Sequence, residues 1–495
     1  MWGAAFAVLF CAEAAGQGPA TCFANSSVTP IMRAEGLAER VGDIVLTCTG
    51  GTPTAAGNPL PHVNITVTLN TNVTSRILDA ATGASEALLI VDEAGGNPLI
   101  EIGAPSSQLA CATPLTGCSI TSNGGEPYDG TAGHPNVFEG VVSGSNSVTF
   151  YGVPLTAPGS FGVGQPGSTV RVLRITNIRA DAAAFWNAVV DSGFTQAMAT
   201  ISIASSPSIA ITSQSAAVAF AQFGLVYQTY SGDAEVSGPV SLSGCVAGSP
   251  CGLAVVRFQE NFDTAFLPRT RITPQNIPGT IYNSESDFFS SALAASNPNL
   301  ATAGLADAGT RLKATFHGVP AGAQLWVGLN TVTPGSSPSA TLTAFEAGAL
   351  SPVAGSTIDG IPAAQLTVTN GSATAVWEVT AENPTQIDIL EFPVFVVFPS
   401  GSSPAGALTI QGSFAPNADN GAFPLAGEGM AQTATFPEPR FTSGPPPSLT
   451  IYETSPSNLS QGEFGATLNI TVGNTGSATS GAITVTFRIC FPAVS

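Results

Sequence analysis

The stretch "HVNITVTL" (62–69) sets Val63, Ile65, Val67 and Leu69 in strict alternation with Asn64, Thr66 and Thr68. A period of two is what a strand with one buried and one wet face requires, and it does not fit the 3.6 period of a helix. The same grammar recurs in "DIVLTCTGG", "EALLIVDEAG", "SVTFYGVPL" and "STVRVLRITNIRA", where Val170, Val172, Ile175 and Ile178 supply the apolar positions. It continues past residue 200 in "AVAFAQFGLVYQTY", "GLAVVRFQENF", "TRLKATFHGVP", "AQLWVGLNTV", "ATAVWEVTAENP" and "IDILEFPVFVVFP". Strands at intervals of roughly 8–15 residues with turn punctuation predict antiparallel sandwiches, not βαβ units. The 54 glycines and 38 prolines serve the corners, and β-branched residues fill the pleats. The expected class is all-β, built as tandem antiparallel β-sandwich (Ig-like) domains.

A chain of 495 residues exceeds one ordinary core. The spacing predicts an N-terminal sandwich over 17–200 and a second β-rich region over 201–440. The stretch "VTPGSSPSATL" (332–342) is a place where that region would split in two. One helix is expected in "SESDFFSSALAASN", where Ser284 and Asp287 stand at capping-box spacing with Asp in place of Glu. Pro445, Pro446 and Pro447 cannot continue a ladder, so 441–447 reads as an extended spacer before a last module at 448–495.

The start, "MWGAAFAVLFCAEAAGQGPA", has an apolar run from Ala4 to Cys11 followed by the small-x-small site Ala12-Glu13-Ala14. We read 1–16 as a secretory signal peptide, though it lacks a basic residue before the run. No later stretch is long and apolar enough to span a membrane as a helix. Seven cysteines follow Cys11. Short Pro/Gly loops bring Cys111 to Cys118 and Cys245 to Cys251, which leaves Cys22 with Cys48 as the third expected disulfide and Cys490 over. The gaps are too wide for a zinc C-x₂₋₄-C pair, so disulfides and an oxidising compartment are the expectation. A net charge of −19 with no basic stripe excludes nucleic acid as a partner.

Chemistry-bearing motifs are sparse. Gly162, Gly164 and Gly167 spell G-x-G-x-x-G, but Pro166 and a β-branched run follow where a dinucleotide site needs a helix. His62, His134 and His317 each stand beside Pro or Gly at a strand end or turn, outside any metalloprotease pattern. Trp326 and Trp377 alternate with apolar neighbours and read as core. Asn64, Asn72, Asn370, Asn458 and Asn469 stand in N-x-Ser/Thr sequons, which polar strand faces explain without glycans. The most polar loop, "SNGGEPYDGTAGHPNVFEG", gathers Glu126, Asp129, His134 and Glu139. A solvated loop needs such residues anyway, so no cofactor is expected, with calcium on these carboxylates as the alternative.

The C-terminal stretch "SLTIYETSPSNLSQGEFGATLNITVGNTGSATSGAITVTF" resembles the start of the Ig-like conserved repeat of bacterial surface proteins (domain of unknown function eleven). The matching parts are Leu468–Val472, the "GNTGSATS" turn and Ala482–Phe487. "RICFPAVS" then stands where that repeat continues, so the module reads as incomplete, with Ile470 and Val485 on a face two strands cannot bury. The segments "RAEGLAERVGDIVLTCTGGTPT", "RITNIRA", "QNIPGTIYNSES" and "TAVWEV" are similar to large uncharacterised secreted β-rich proteins of Acidobacteria. That likeness implies export and brings no site. The functional expectation is a non-catalytic secreted or cell-surface protein for structure or adhesion, self-associating or bound to matrix polysaccharide. A different class, carbohydrate binding or glycoside hydrolysis at the 121–140 loop, requires exposed aromatics or two opposed carboxylates.

Overall fold

A computed structural model describes residues 19–92, 107–124, 127–159, 170–206, 208–269, 284–331 and 338–416, and the backbone of three strands beyond 448. The signal stretch, the G-x-G-x-x-G glycines, Glu126, the 441–447 spacer and Cys490 lie outside the described residues. Among the described residues the chain is all-β, and no helix is long and apolar enough to cross a membrane.

The first body is a 12-stranded sheet. Its order begins Ala210–Ile211, Thr21–Ser26, Ile44–Thr49, Val170–Thr176, Ala84–Val91 and Val137–Gly144. It goes on through Ser147–Pro154, His62–Leu69, Thr195–Ser205, Ser215–Gln222 and Ile31–Arg33, with Ile77–Asp79 flanking Ala84–Val91. The sheet folds over so that Thr21–Ser26 lies against Ser215–Gln222, far from it in sheet order. Leu46, Ile65, Phe150, Leu173, Ile201 and Val218 from both halves meet in one core. His62–Leu69 keeps its alternation: Val63, Ile65, Val67 and Leu69 are buried while His62 and Asn64 are exposed. A boundary at 200 would cut Thr195–Ser205, whose Ile201 sits opposite Val67 in register and packs in the first core. The first body therefore runs to Gln222, and the chain crosses to the second at Phe223–Gly224.

The second body stacks a 7-stranded sheet on a 5-stranded one. Trp377 lies fully buried between them, stacked on Phe392 at 4.2 Å, and its Nε1 donates to Gly328 O at 2.9 Å. Leu325 and Val327 before the 332–342 stretch share this core with Ala340 and Leu342 near and at its end, so no second sandwich begins there.

Residues 284–310 lie in sequence between the second-body strands Pro250–Glu260 and Arg311–His317, yet they strap across the first body. Phe288, Leu293 and Leu300 from this strap cover Leu88, Ile90 and Val137. That cover explains why every position of Ala84–Val91 is buried, where a half-wet strand would alternate. Helix α2 (Ser291–Ser296) starts at Ser290, whose side chain accepts from Leu293 N. The expected capping pair serves otherwise: Ser284 Oγ donates to Ser286 O, and Asp287 is buried. A second short helix, α1 (Trp186–Ser192), ends on Gly193 at φ 81°.

The structure pairs Cys22 with Cys48, Cys111 with Cys118, and Cys245 with Cys251. Cys22 and Cys48 stand opposite each other on adjacent strands. At the C-terminus Leu449–Glu453, Leu468–Asn474 and Ile483–Phe487 form a 3-stranded antiparallel sheet in which Ile470 pairs with Val485.

Candidate functional site

The polar loop nominated by sequence divides. Asp129 and His134 come together in one turn, with Nδ1 3.4 Å from Oδ1 and the Asp129 side chain 44% exposed. The Thr131 hydroxyl, bonded to Oδ1 at 2.6 Å, holds the Asp129 carboxyl below its ordinary range, with a smaller contribution from His134. Glu139 does not join them. It lies buried on Val137–Gly144 and accepts from Asn297 Nδ2 of the strap at 2.9 Å. Among the described residues no three His, Cys, Asp or Glu side chains are grouped to hold a metal ion.

The densest polar chemistry is instead a buried ionic joint between the two bodies. Its centre is Arg33, which ends the short strand Ile31–Arg33 and is 2% exposed. Its guanidinium bonds Glu39 of its own body at 2.7 Å and Glu285 of the strap at 2.9 Å. Nη1 also donates to Thr310 Oγ1 at 2.9 Å and Ala265 O at 3.2 Å, and the group lies 5.6 Å from the Phe414 ring centre. Burial alone would lower the Arg33 pKa; Glu285 and Glu39 more than reverse that and leave it raised. Thr310 Oγ1 in turn donates to Glu285 Oε1 at 2.6 Å, so the planar fork and its acceptors close on one another.

Further arginines repeat the theme along the strap. Arg40 donates to Ser284 O at 2.8 Å, and Arg179 donates to Glu285 O at 3.1 Å while pairing with Glu86 at 3.3 Å. Arg76 bonds Glu86 at 3.2 Å and reaches Thr302 O. Fully buried Arg174 is held by Asp43 at 2.6 Å under the Phe288 ring, 4.9 Å from its centre. Asn177 donates to Phe288 O at 2.9 Å. The backbone had to permit this closeness. A Cβ on Gly304, at φ 73°, would fall 2.0 Å from Phe288 O, and one on Gly224 would fall 2.6 Å from Arg33 Cγ.

Three carboxyls at the joint are pushed up. Glu35 accepts from Gly224 N at 2.9 Å and Leu225 N at 3.3 Å, clamping the crossing between bodies; burial raises it to about 7 against those bonds. Glu139 rises to about 7 through burial, with Asp79 adding and Asn297 opposing. Asp287 rises to about 6 by burial, with Asp43 and Glu86 adding and Arg40 and Arg179 opposing. Asp287 Oδ1 accepts its neighbour's amide, Phe288 N, at 3.0 Å, and its buried Oδ2 has no hydrogen-bond partner.

Sequence reading did not bring these groups together. The signal for them lay in "RAEGLAERVGD", "RITNIRA" and the end of "QNIPGTIYNSES": these stretches hold Arg33, Glu39, Arg40, Arg174, Arg179 and Glu285, charged residues inside apolar or turn contexts. Elsewhere Trp326 is only half-buried, on an outer patch with Ile361 and Phe395, so it is not core like Trp377. Glu260 and Asp388 lie close together, but Glu260 is held by Phe266 N and Asp388 N, and Asp388 by Asn383 N. Outside the joint, the chain's single lysine, Lys313, is bonded to Glu346 at 2.7 Å.

No protein-family model matches the chain, and no curated protein matches it. Among solved structures it is similar to the partial N-terminal region of an enterococcal surface protein at 7% identity and TM-score 0.18, covering 80% of this chain and 94% of that one. The B domain of a biofilm associated protein is similar at 7% identity and TM-score 0.16, covering 79% of this chain and 83% of that one. Likeness of this degree carries no functional step.

Proposed function

We propose that the protein is a non-catalytic, exported structural or adhesive component of the cell surface or extracellular matrix. The observation that carries this reading is the joint. Arg33, Arg40, Arg76 and Arg179 each bond the strap that ties the second body to the first, which makes two β-bodies into one stiff unit. Charges that could have served an active site are engaged in holding shape. Disulfides at Cys22–Cys48, Cys111–Cys118 and Cys245–Cys251 fit an oxidising compartment, as the expected signal stretch also does. Self-association and matrix polysaccharide remain the partners of this proposal, and the C-terminal sheet belongs in it as an Ig-like repeat of surface proteins.

The test is to follow the tagged full chain in its own cells, by fractionation and by protease treatment of intact cells, beside a deletion strain scored for attachment. Recovery in the envelope or matrix with loss of attachment on deletion is the expected result. Retention in the cytoplasm, or a deletion strain that attaches normally, would overturn the proposal.

A further inference from the structure

We propose that the joint is proton-linked: the two bodies are held together more tightly in acid than at neutral pH, through protonation of Glu35, Glu139 and Asp287 at their shared interface. Each of these carboxyls is buried where one body meets the other, so parting the bodies would return it to water. Glu35 faces Arg33 and the amides of Gly224 and Leu225 at the crossing. Glu139 faces Asn297 from the strap and Asp79 from Ile77–Asp79. Asp287 faces Arg40 and Arg179 from the strand pair Glu39–Arg40 and Arg179–Ala180, with Asp43 and Glu86 beyond them.

The ionic partners do not cancel the burial. Arg33 is already shared between Glu39 and Glu285, Arg179 between Glu86 and the Glu285 carbonyl, and Arg40 bonds the Ser284 carbonyl. Asp287 Oδ2 is left without a hydrogen bond. A buried carboxylate oxygen in that position is costly, whereas a protonated one is close to neutral in cost.

The sign follows from linkage. All three carboxyls sit above their ordinary values in the joined state, at about 7, about 7 and about 6. In the parted state they return to the usual carboxyl range, near 4. The joined state therefore binds more protons between these limits. Its added stability is fully present below the ordinary values and is lost as pH rises through about 6 and about 7.

Hydrogen exchange on the oxidised full chain reads this directly, in the peptides around Gly224–Leu225 and Asp287–Gly304. Protection, corrected for the intrinsic pH dependence of exchange, should fall by about tenfold or more between about pH 4.5 and about pH 7.5. Combining Glu35→Gln, Glu139→Gln and Asp287→Asn should flatten that slope, while Asp129→Asn, in an exposed turn of the first body whose carboxyl is held below its ordinary range, should leave it in place. A flat or rising wild-type profile would overturn the proposal, and so would a slope that survives the triple substitution. Should the triple variant not fold, the three single substitutions are read in its place: each should take away part of the slope, and a slope unchanged in all three would overturn the proposal.

Discussion

Arg33 shows how much one side chain can integrate when its acceptors come from both bodies. It spans Glu39 and Glu285 within one buried fork, so losing either acceptor leaves a charge in a low-dielectric site. We expect Glu285→Ala to lower global stability by about 3–5 kcal/mol in urea unfolding, far more than a surface pair would yield. Glu260 supplies a test inside one body. Burial raises its carboxyl to about 8, with its two amide bonds opposing and Asp388 and Glu382 adding. Its neutral form is the one the fold prefers, so the stability it gives is complete below the ordinary glutamate value and fades as pH climbs through about 8. Glu260→Gln should remove that part of the pH dependence in thermal melts, and an unchanged profile would refute the assignment.

At the scale of elements, the strand 62–69 was legible because alternation is a local signal that burial then enforces. The strand Ala84–Val91 was legible as a strand but not as one covered on both faces, because its cover is the distant Phe288, Leu293 and Leu300. The helix in the strap was legible, but its start was misplaced: Ser290, not Ser284, caps it, and Asp287 turns to the joint. Asp129 and His134, five positions apart, meet because a turn brings them round, whereas Glu139 points from a strand into the strap. The joint itself was illegible, since Arg33 and Glu285 stand 252 residues apart and no periodicity links them. Two element-scale outcomes are expected. Replacing both Cys22 and Cys48 by alanine should cost about 2–4 kcal/mol in denaturant unfolding, since their link closes a separation of 26 residues. Gly117→Ala should lower the melting temperature sharply, because at φ 74° its Cβ would fall 1.8 Å from Gly152 O.

For the whole molecule, the distribution of charge matters more than its sum. Among the described residues, Arg33, Arg40, Arg76, Arg171, Arg174, Arg179 and Arg311 are buried or nearly so and bonded inside the fold. Arg257 is held by Glu391, and Arg269 donates to Ala306 O. A protease that must seat an extended segment around a free basic side chain finds little to grip there. Trypsin should leave Arg33, Arg76, Arg174, Arg179 and Arg311 uncut in the oxidised native protein and cleave them after reduction and unfolding; mass spectrometry of timed digests would show it, and early native cuts at Arg33 or Arg179 would contradict the joint.

The Lys313–Glu346 pair carries a consequence for how neighbours could attach. With no other lysine in the chain, the protein brings a single side-chain amine, and that one is already engaged. Aldehydes, activated esters and enzymes that weld lysine to a neighbour have almost nothing to react with. Any lysine-directed cross-link to its surroundings is therefore confined to one position, and it has to break the Lys313–Glu346 pair first.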